Sequence, residues 1–333
     1  MHSRPEAPWR NPRGLWLLRV RGRRAGRPVG GRSAALEWRC AGLGWPEGRP
    51  VLRWAGGRVS SLAYGQAVGF RAVGERRCVG ARGNACPLRA VVPGRATQAR
   101  CPECARLDRA FSVAADGVPD DPRTYRVYLA WFGPGMVKVG ITAEERGSVR
   151  LLEQGAVAFC WLGRGPLMAA RRTEELLRAA LGVPDRVPYA RKRAVRAALP
   201  EWGERARELE ELYGRAVALE GWAESLERLD FAAVDHAPAF GLAALGGETA
   251  GVVRELVVGG SVGGRLVAAA GPDLHLAVPG GAGAYSLLVV DTRVLVGWEL
   301  VKADVTDGVT VPVAAAGGDG GGAAGGAEQV GLF

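Results

Sequence analysis

Lysine is almost missing: Lys138, Lys192 and Lys302 stand against 41 arginines in 333 residues. Histidine is as scarce, and His2, His236 and His275 are too scattered to make a histidine metal site. Long apolar runs are lacking too. The longest stretch without a charged side chain, Leu274 to Val290, is broken by His275, Pro279 and a cluster of glycines, which excludes a membrane-spanning helix. The opening Met1-His2-Ser3-Arg4-Pro5 has no apolar core, so no signal peptide is expected and the reading is a soluble, cytoplasmic protein with no membrane partner. With 48% hydrophobic and 23% charged residues, the composition excludes a wholly disordered chain and most fibrous classes.

Charge is uneven along the chain. Arginine in place of lysine, together with 50 glycines, is what GC-rich coding produces, so arginine content alone says little about partners. Its placement says more. Residues 1–110 hold 22 arginines against six acids, a balance of +16, whereas the remainder is at −6. An excess confined to one third of a chain attracts phosphate backbones through counterion release. A solvated basic surface offset by the acidic remainder is the plainer alternative.

Short strands broken by Gly and Pro are predicted in residues 1–77, among them Leu15–Val20, Val51–Trp54 and Ala67–Phe70, with tryptophans as core filler. From Tyr125 the pattern sharpens. Tyr125–Trp131 and Met136–Ile141 read as a hairpin around Phe132-Gly133-Pro134-Gly135. Thr142 with Glu145 reads as a capping box opening a helix to about Glu153. A third strand, Ala156–Leu162, and a helix from Pro166 to Leu181 follow. Glu201 to about Glu220 reads as an amphipathic helix, and the chain from Leu242 as glycine-rich β structure, with Gly259 to Gly264 as turns. The Gly- and Ala-dominated segment from Ala314 cannot bury enough to offset its ordering entropy and is read as disordered.

Four of the six cysteines, Cys78, Cys86, Cys101 and Cys104, fall within 27 residues. Thiolates at this spacing, closing on Cys101-Pro102-Glu103-Cys104, suit one structural zinc, which takes four soft ligands in a tetrahedron. Nearby Arg76, Arg77, Arg82, Arg89 and Arg100 would offset the net negative charge of such a site. Disulfides are disfavoured in a reducing compartment, and a redox CxxC is expected at a helix start, where Cys101 is not predicted to lie. Cys40 and Cys160 read as packing residues.

Together these motifs resemble the DUF2797 family of uncharacterised bacterial and archaeal proteins. The likeness rests on Cys78-Val79-Gly80, Cys86-Pro87, the Cys101–Cys104 knuckle, Tyr128-Leu129-Ala130, Lys138-Val139-Gly140-Ile141-Thr142, and Arg150 leading to Gln154-Gly155-Ala156. The hairpin and helix are also similar to the GIY-YIG nuclease superfamily, in its branch with KIG in place of YIG. That resemblance implies phosphodiester hydrolysis: Tyr128 helping to activate water, Lys138 in the second-motif position, Arg150 stabilising the phosphate, and Glu174 holding one divalent ion such as Mg²⁺. A lysine replaces the second tyrosine and is a poor base unless strongly desolvated, which puts hydrolysis in question.

The expected architecture is α+β: a β-rich zinc-binding module (1–115), a GIY-YIG-like α/β core (120–200), a linking helix region (201–238), a small C-terminal β module (239–313) and a disordered tail (314–333). The expected partner is nucleic acid, DNA or RNA, contacted by Arg146 and by the basic run Arg191, Lys192, Arg193 and Arg196. The alternative is a non-catalytic, zinc-stabilised protein-interaction scaffold.

Overall fold

The computed structural model describes residues 38–110, 121–184, 186–247, 249–279 and 284–315. The predicted strand Leu15–Val20 and the tail beyond Ala315 lie outside them. The fold mixes α and β. Three antiparallel strands, β1 (Cys40–Gly44), β2 (Val51–Trp54) and β3 (Val59–Ser61), form a small sheet; β4 (Ala67–Val73) follows, and α1 (Pro102–Ala110) closes the cysteine-rich segment. The central elements are β5 (Thr124–Trp131), β6 (Val137–Ala143), α2 (Val149–Gln154), β7 (Ala158–Pro166), α3 (Leu167–Leu181), α4 (Tyr189–Val195), α5 (Trp202–Val217), β8 (Glu227–Arg228), β9 (Ala233–Asp235) and α6 (Ala237–Phe240). The chain ends with β10 (Thr249–Val253), β11 (Ser261–Ala270), β12 (Asp273–Pro279), β13 (Tyr285–Asp291), β14 (Glu299–Lys302) and β15 (Val313–Ala315).

The central sheet has the order β6-β5-β7-β8, with β9 also on β7, and all its pairs are antiparallel. Its β5–β6 hairpin turns where Gly133-Pro134-Gly135 predicts, with Met136 N donating to Gly133 O at 2.9 Å. Alternation along β5 divides the core. Val127, Leu129 and Trp131 pack with Leu167, Ala170 and Leu177 of α3 and Leu209 and Leu212 of α5. Tyr128, Ala130 and Phe132 pack on the other face with Leu151 of α2 and Val187. Coverage on both faces buries β5 completely from Val127 to Trp131, the pattern of a doubly covered sheet.

Two local expectations are corrected. Thr142 is not a helix cap: it and Ala143 continue β6, opposite Arg126 and Tyr125, and the pairing outweighs the local cap. A 3-10 turn over Glu144–Arg146 intervenes, and α2 starts only at Val149 after Ser148. Gly263 and Gly264 lie inside β11 rather than in turns.

The second large sheet has the order β14-β4-β11-β12-β13-β10-β15, antiparallel except for β10 beside β13. It crosses the sequence boundaries drawn above, because β4 sits between β14 and β11 and so belongs to the same sheet as the C-terminal strands. Ala314 and Ala315, the start of the glycine-rich tail, pair with β10. Buried Trp45 donates its indole N–H to Gly271 O at 3.1 Å, tying the small sheet to the β11–β12 turn. No helix among the described residues is long and apolar enough to cross a membrane.

Candidate metal centre and anion-binding cleft

Cys78, Cys86, Cys101 and Cys104 are buried, and their sulfurs lie within 4.8 Å of one another. The Cys86 and Cys101 sulfurs are 3.9 Å apart. Four sulfurs about 2.3 Å from one tetrahedral zinc would be separated by ~3.8 Å, so the cluster is close to that size. Each ligand is placed by local backbone. Cys78 N bonds Ala90 O, and the tight turn Ala81–Asn84 swings the chain back toward Cys86. Gly80 N and Cys101 N both donate to the Cys78 sulfur, at 3.4 and 3.1 Å. Four thiols this close cannot all ionise without a cation. Hydrogen bonding, led by the Ala90 backbone, lowers Cys86 to about 7, whereas desolvation raises Cys104 to about 12. The donor set and its spacing fit a single soft metal ion.

Sequence reasoning misplaced one feature here. Cys101 does stand at a helix start, since α1 begins at Pro102, a favoured first position, and Cys104 lies in its first turn. Four converging sulfurs, rather than two, still separate the cluster from a redox pair. Two of the nearby arginines are held by backbone carbonyls. Buried Arg76 donates to the carbonyls of Val296, Pro93, Ala96 and Arg293 at 2.5 to 2.9 Å, and Arg100 to Gly80 O at 3.0 Å. Arg76 therefore staples the cysteine-rich loop to the C-terminal sheet. An arginine with only carbonyl partners has no signature in a sequence.

Around Tyr128 the structure gathers much of the second predicted site. Tyr128 pairs with Gly140 and Ala130 with Lys138, so Tyr128 and Lys138 share a face of the sheet. The Lys138 ammonium lies 5.9 Å from the Tyr128 ring centre. Gly140 makes room for the phenol, because a Cβ there would stand 2.4 Å from the Tyr128 hydroxyl. Gln154, at the end of α2, donates its side-chain amide to that hydroxyl at 3.0 Å. Tyr128 is 1% exposed, and burial raises its pKa, with the Gln154 bond and the charges of Arg150 and Arg146 opposing and that of Glu174 reinforcing the shift. The phenol is held protonated. Arg146 bonds Glu153 at 2.7 Å, and Arg150 reaches the same carboxylate at 4.0 Å; both keep nearly half of their side-chain surface exposed.

Glu174 comes from elsewhere. It is carried by α3, whose apolar side packs on the opposite face of the sheet, and its charge still acts on the Tyr128 hydroxyl. Among the described residues, the four cysteines are the one group of three or more potential ligand side chains; Glu174 joins none.

The basic run splits. Arg191 is exposed, but Lys192 is buried: its ammonium donates to Gln154 O at 2.9 Å and lies 3.7 Å from the Phe132 ring centre and 4.5 Å from that of Tyr189. Arg193 clasps Asp273 at 2.6 and 3.0 Å and reaches Asp291 at 2.8 Å. Arg196 bonds the same Asp273 at 2.6 Å and approaches His275 at 3.3 Å. Three of the four side chains thus turn inward: Arg193 and Arg196 bond Asp273 and Asp291 of β12 and β13, and Lys192 bonds the end of α2. Asp273 and Asp291, 80 to 98 residues further on, were not singled out from sequence.

A family model described as a protein of unknown function (DUF2797) matches residues 65–300, more than two thirds of the chain. No curated protein and no solved structure matches it.

Proposed function

The chain belongs to the DUF2797 family of proteins of unknown function, and for this member we propose a zinc-stabilised protein that binds nucleic acid through the basic side chains around Tyr128 without hydrolysing it. Zinc would be held by Cys78, Cys86, Cys101 and Cys104. It would supply folding energy and no catalysis, because four protein sulfurs leave no open position. One observation carries the nucleic-acid reading. Lys138, Arg146 and Arg150, from β6, the following turn and α2, bring three basic side chains around one phenol. Arg146 and Arg150 are exposed enough to meet phosphate oxygens.

Binding is favoured over cleavage on two grounds. Tyr128 is buried and held as the phenol, and Lys138 stands where a second tyrosine would. The test is fluorescence anisotropy with labelled single- and double-stranded DNA and RNA between about 50 and 200 mM salt. Affinity should fall with salt and weaken when Arg146 and Arg150 are both changed to Ala. Mg²⁺-dependent cleavage lost in Glu174→Ala would replace binding by nuclease activity. Salt-indifferent behaviour would favour the scaffold alternative, which the exposed Leu88 and Leu107 beside the cysteine cluster support.

A further inference from the structure

On the C-terminal sheet, away from both sites, lies a groove of about 440 Å³, within the usual range of ligand sites. Its floor comes from a row across three strands: Arg265 of β11 opposite Ala277 of β12, and Ala277 opposite Leu287 of β13. Tyr64 and Tyr285 supply aromatic walls, and Gly246 and Gly247 lie at the rim.

Among the described residues, Arg265 is the one charged side chain lining the groove. Its guanidinium lies 5.7 Å from the Tyr285 ring centre, and no described carboxylate pairs with it. A guanidinium over a ring keeps its in-plane N–H donors, so this one retains its capacity for a forked bond to an oxyanion. No lining group competes for it as an anion: the Tyr64 hydroxyl donates to Ala239 O at 2.7 Å, and burial raises its pKa. Tyr285 is 65% exposed, a large aromatic face left to solvent on a sheet that buries most others. Gly246 and Gly247 have no positive φ, and a Cβ at either would meet nothing within 4 Å. Neither packing nor backbone requires glycine there, and the missing side chains keep the mouth open.

We propose that this groove binds a nucleoside monophosphate, its base against the tyrosine walls and its phosphate on Arg265. A flat apolar body carrying one oxyanion is the chemistry that two tyrosines, an aliphatic floor and a guanidinium with no described carboxylate partner recognise together.

Isothermal titration of the full chain with adenosine 5′-monophosphate, adenosine and inorganic phosphate, each alone, tests it. The monophosphate should bind at least tenfold more tightly than either fragment. Arg265→Ala should remove that advantage over adenosine, and Gly247→Leu should abolish binding of both, with thermal unfolding of each variant unchanged. The assignment is overturned if the monophosphate gives no heat of binding, if it binds no better than adenosine, or if Arg265→Ala leaves its affinity intact.

Discussion

Replacing Lys192 by Met should remove a contribution to stability that rises with pH. The ammonium lies between the rings of Phe132 and Tyr189 and has Gln154 O as its hydrogen-bond acceptor at 2.9 Å. Desolvation first, then the charges of Lys138 and Arg196, pull its pKa from 10.5 to about 6, against the smaller opposing effect of Asp273. In the unfolded chain the lysine keeps its proton up to its ordinary value. Between pH 6 and 10.5 the unfolded state therefore binds more protons than the folded one, and stability rises with pH at up to about 1.4 kcal/mol per unit. Below pH 6 both states hold the proton and this contribution is flat. Ring faces favour a buried ammonium by about 2 kcal/mol, which narrows the window from its acid side without changing the sign. Met fills a similar volume and cannot titrate. Its loss of the bond to Gln154 O costs about 1–3 kcal/mol at every pH and so leaves the slope untouched. Urea unfolding of both proteins from pH 7 to 9 should show the wild type gaining about 2–3 kcal/mol on the variant. A stability difference that stays constant over this range would mean that Lys192 is charged in the folded protein, and the reasoning would fail.

Three further outcomes are expected. Protein purified without chelator should carry about one zinc per chain by elemental analysis, and Cys104→Ser should lose it together with much of its thermal stability; unchanged zinc in the variant would exclude the four-sulfur site. Asp273→Ala strips the carboxylate from buried Arg196 and from one side of Arg193, and should cost about 3–5 kcal/mol in urea unfolding; a cost under about 1 kcal/mol would show that the cluster adds nothing to stability. Gly140→Ala drives a methyl toward the Tyr128 hydroxyl and should cost about 1–3 kcal/mol, and combined with Tyr128→Ala it should cost less than the sum of the two; strict additivity would deny the contact.

Several elements were legible because their causes are local. The β5–β6 hairpin follows from alternation and a Gly-Pro-Gly turn, α3 from a proline at its start, and α5 from amphipathic spacing. The four cysteines came from spacing and donor chemistry, and the structure brings them together. Pro102 reads from sequence as part of a knuckle between two ligands, and that it also opens α1 is decided by the fold.

Elsewhere, local rules met tertiary competition. Thr142 has the residues of a helix cap, but a strand partner was available and β6 ran on through Ala143. The run Arg191 to Arg196 has the composition of a phosphate-binding surface. Its fate depended on Asp273 and Asp291, whose placement beneath α4 is decided by the pairing of β12 with β13. The exposure of a basic side chain cannot be read from its neighbours in sequence, because its counter-charge comes from a strand formed much later.

By itself, then, the sequence determined the α+β class, the central hairpin and the cysteine cluster. All of these rest on periodicity, turn chemistry or ligand type within a few tens of residues. Only the tertiary structure decided that β4 joins the C-terminal strands, that Glu174 belongs to a helix of the opposite face, and that Lys192, Arg193 and Arg196 are interior. Strand partnership and charge pairing across about 80 residues or more are settled by which surfaces can be buried together, and no local pattern encodes that choice.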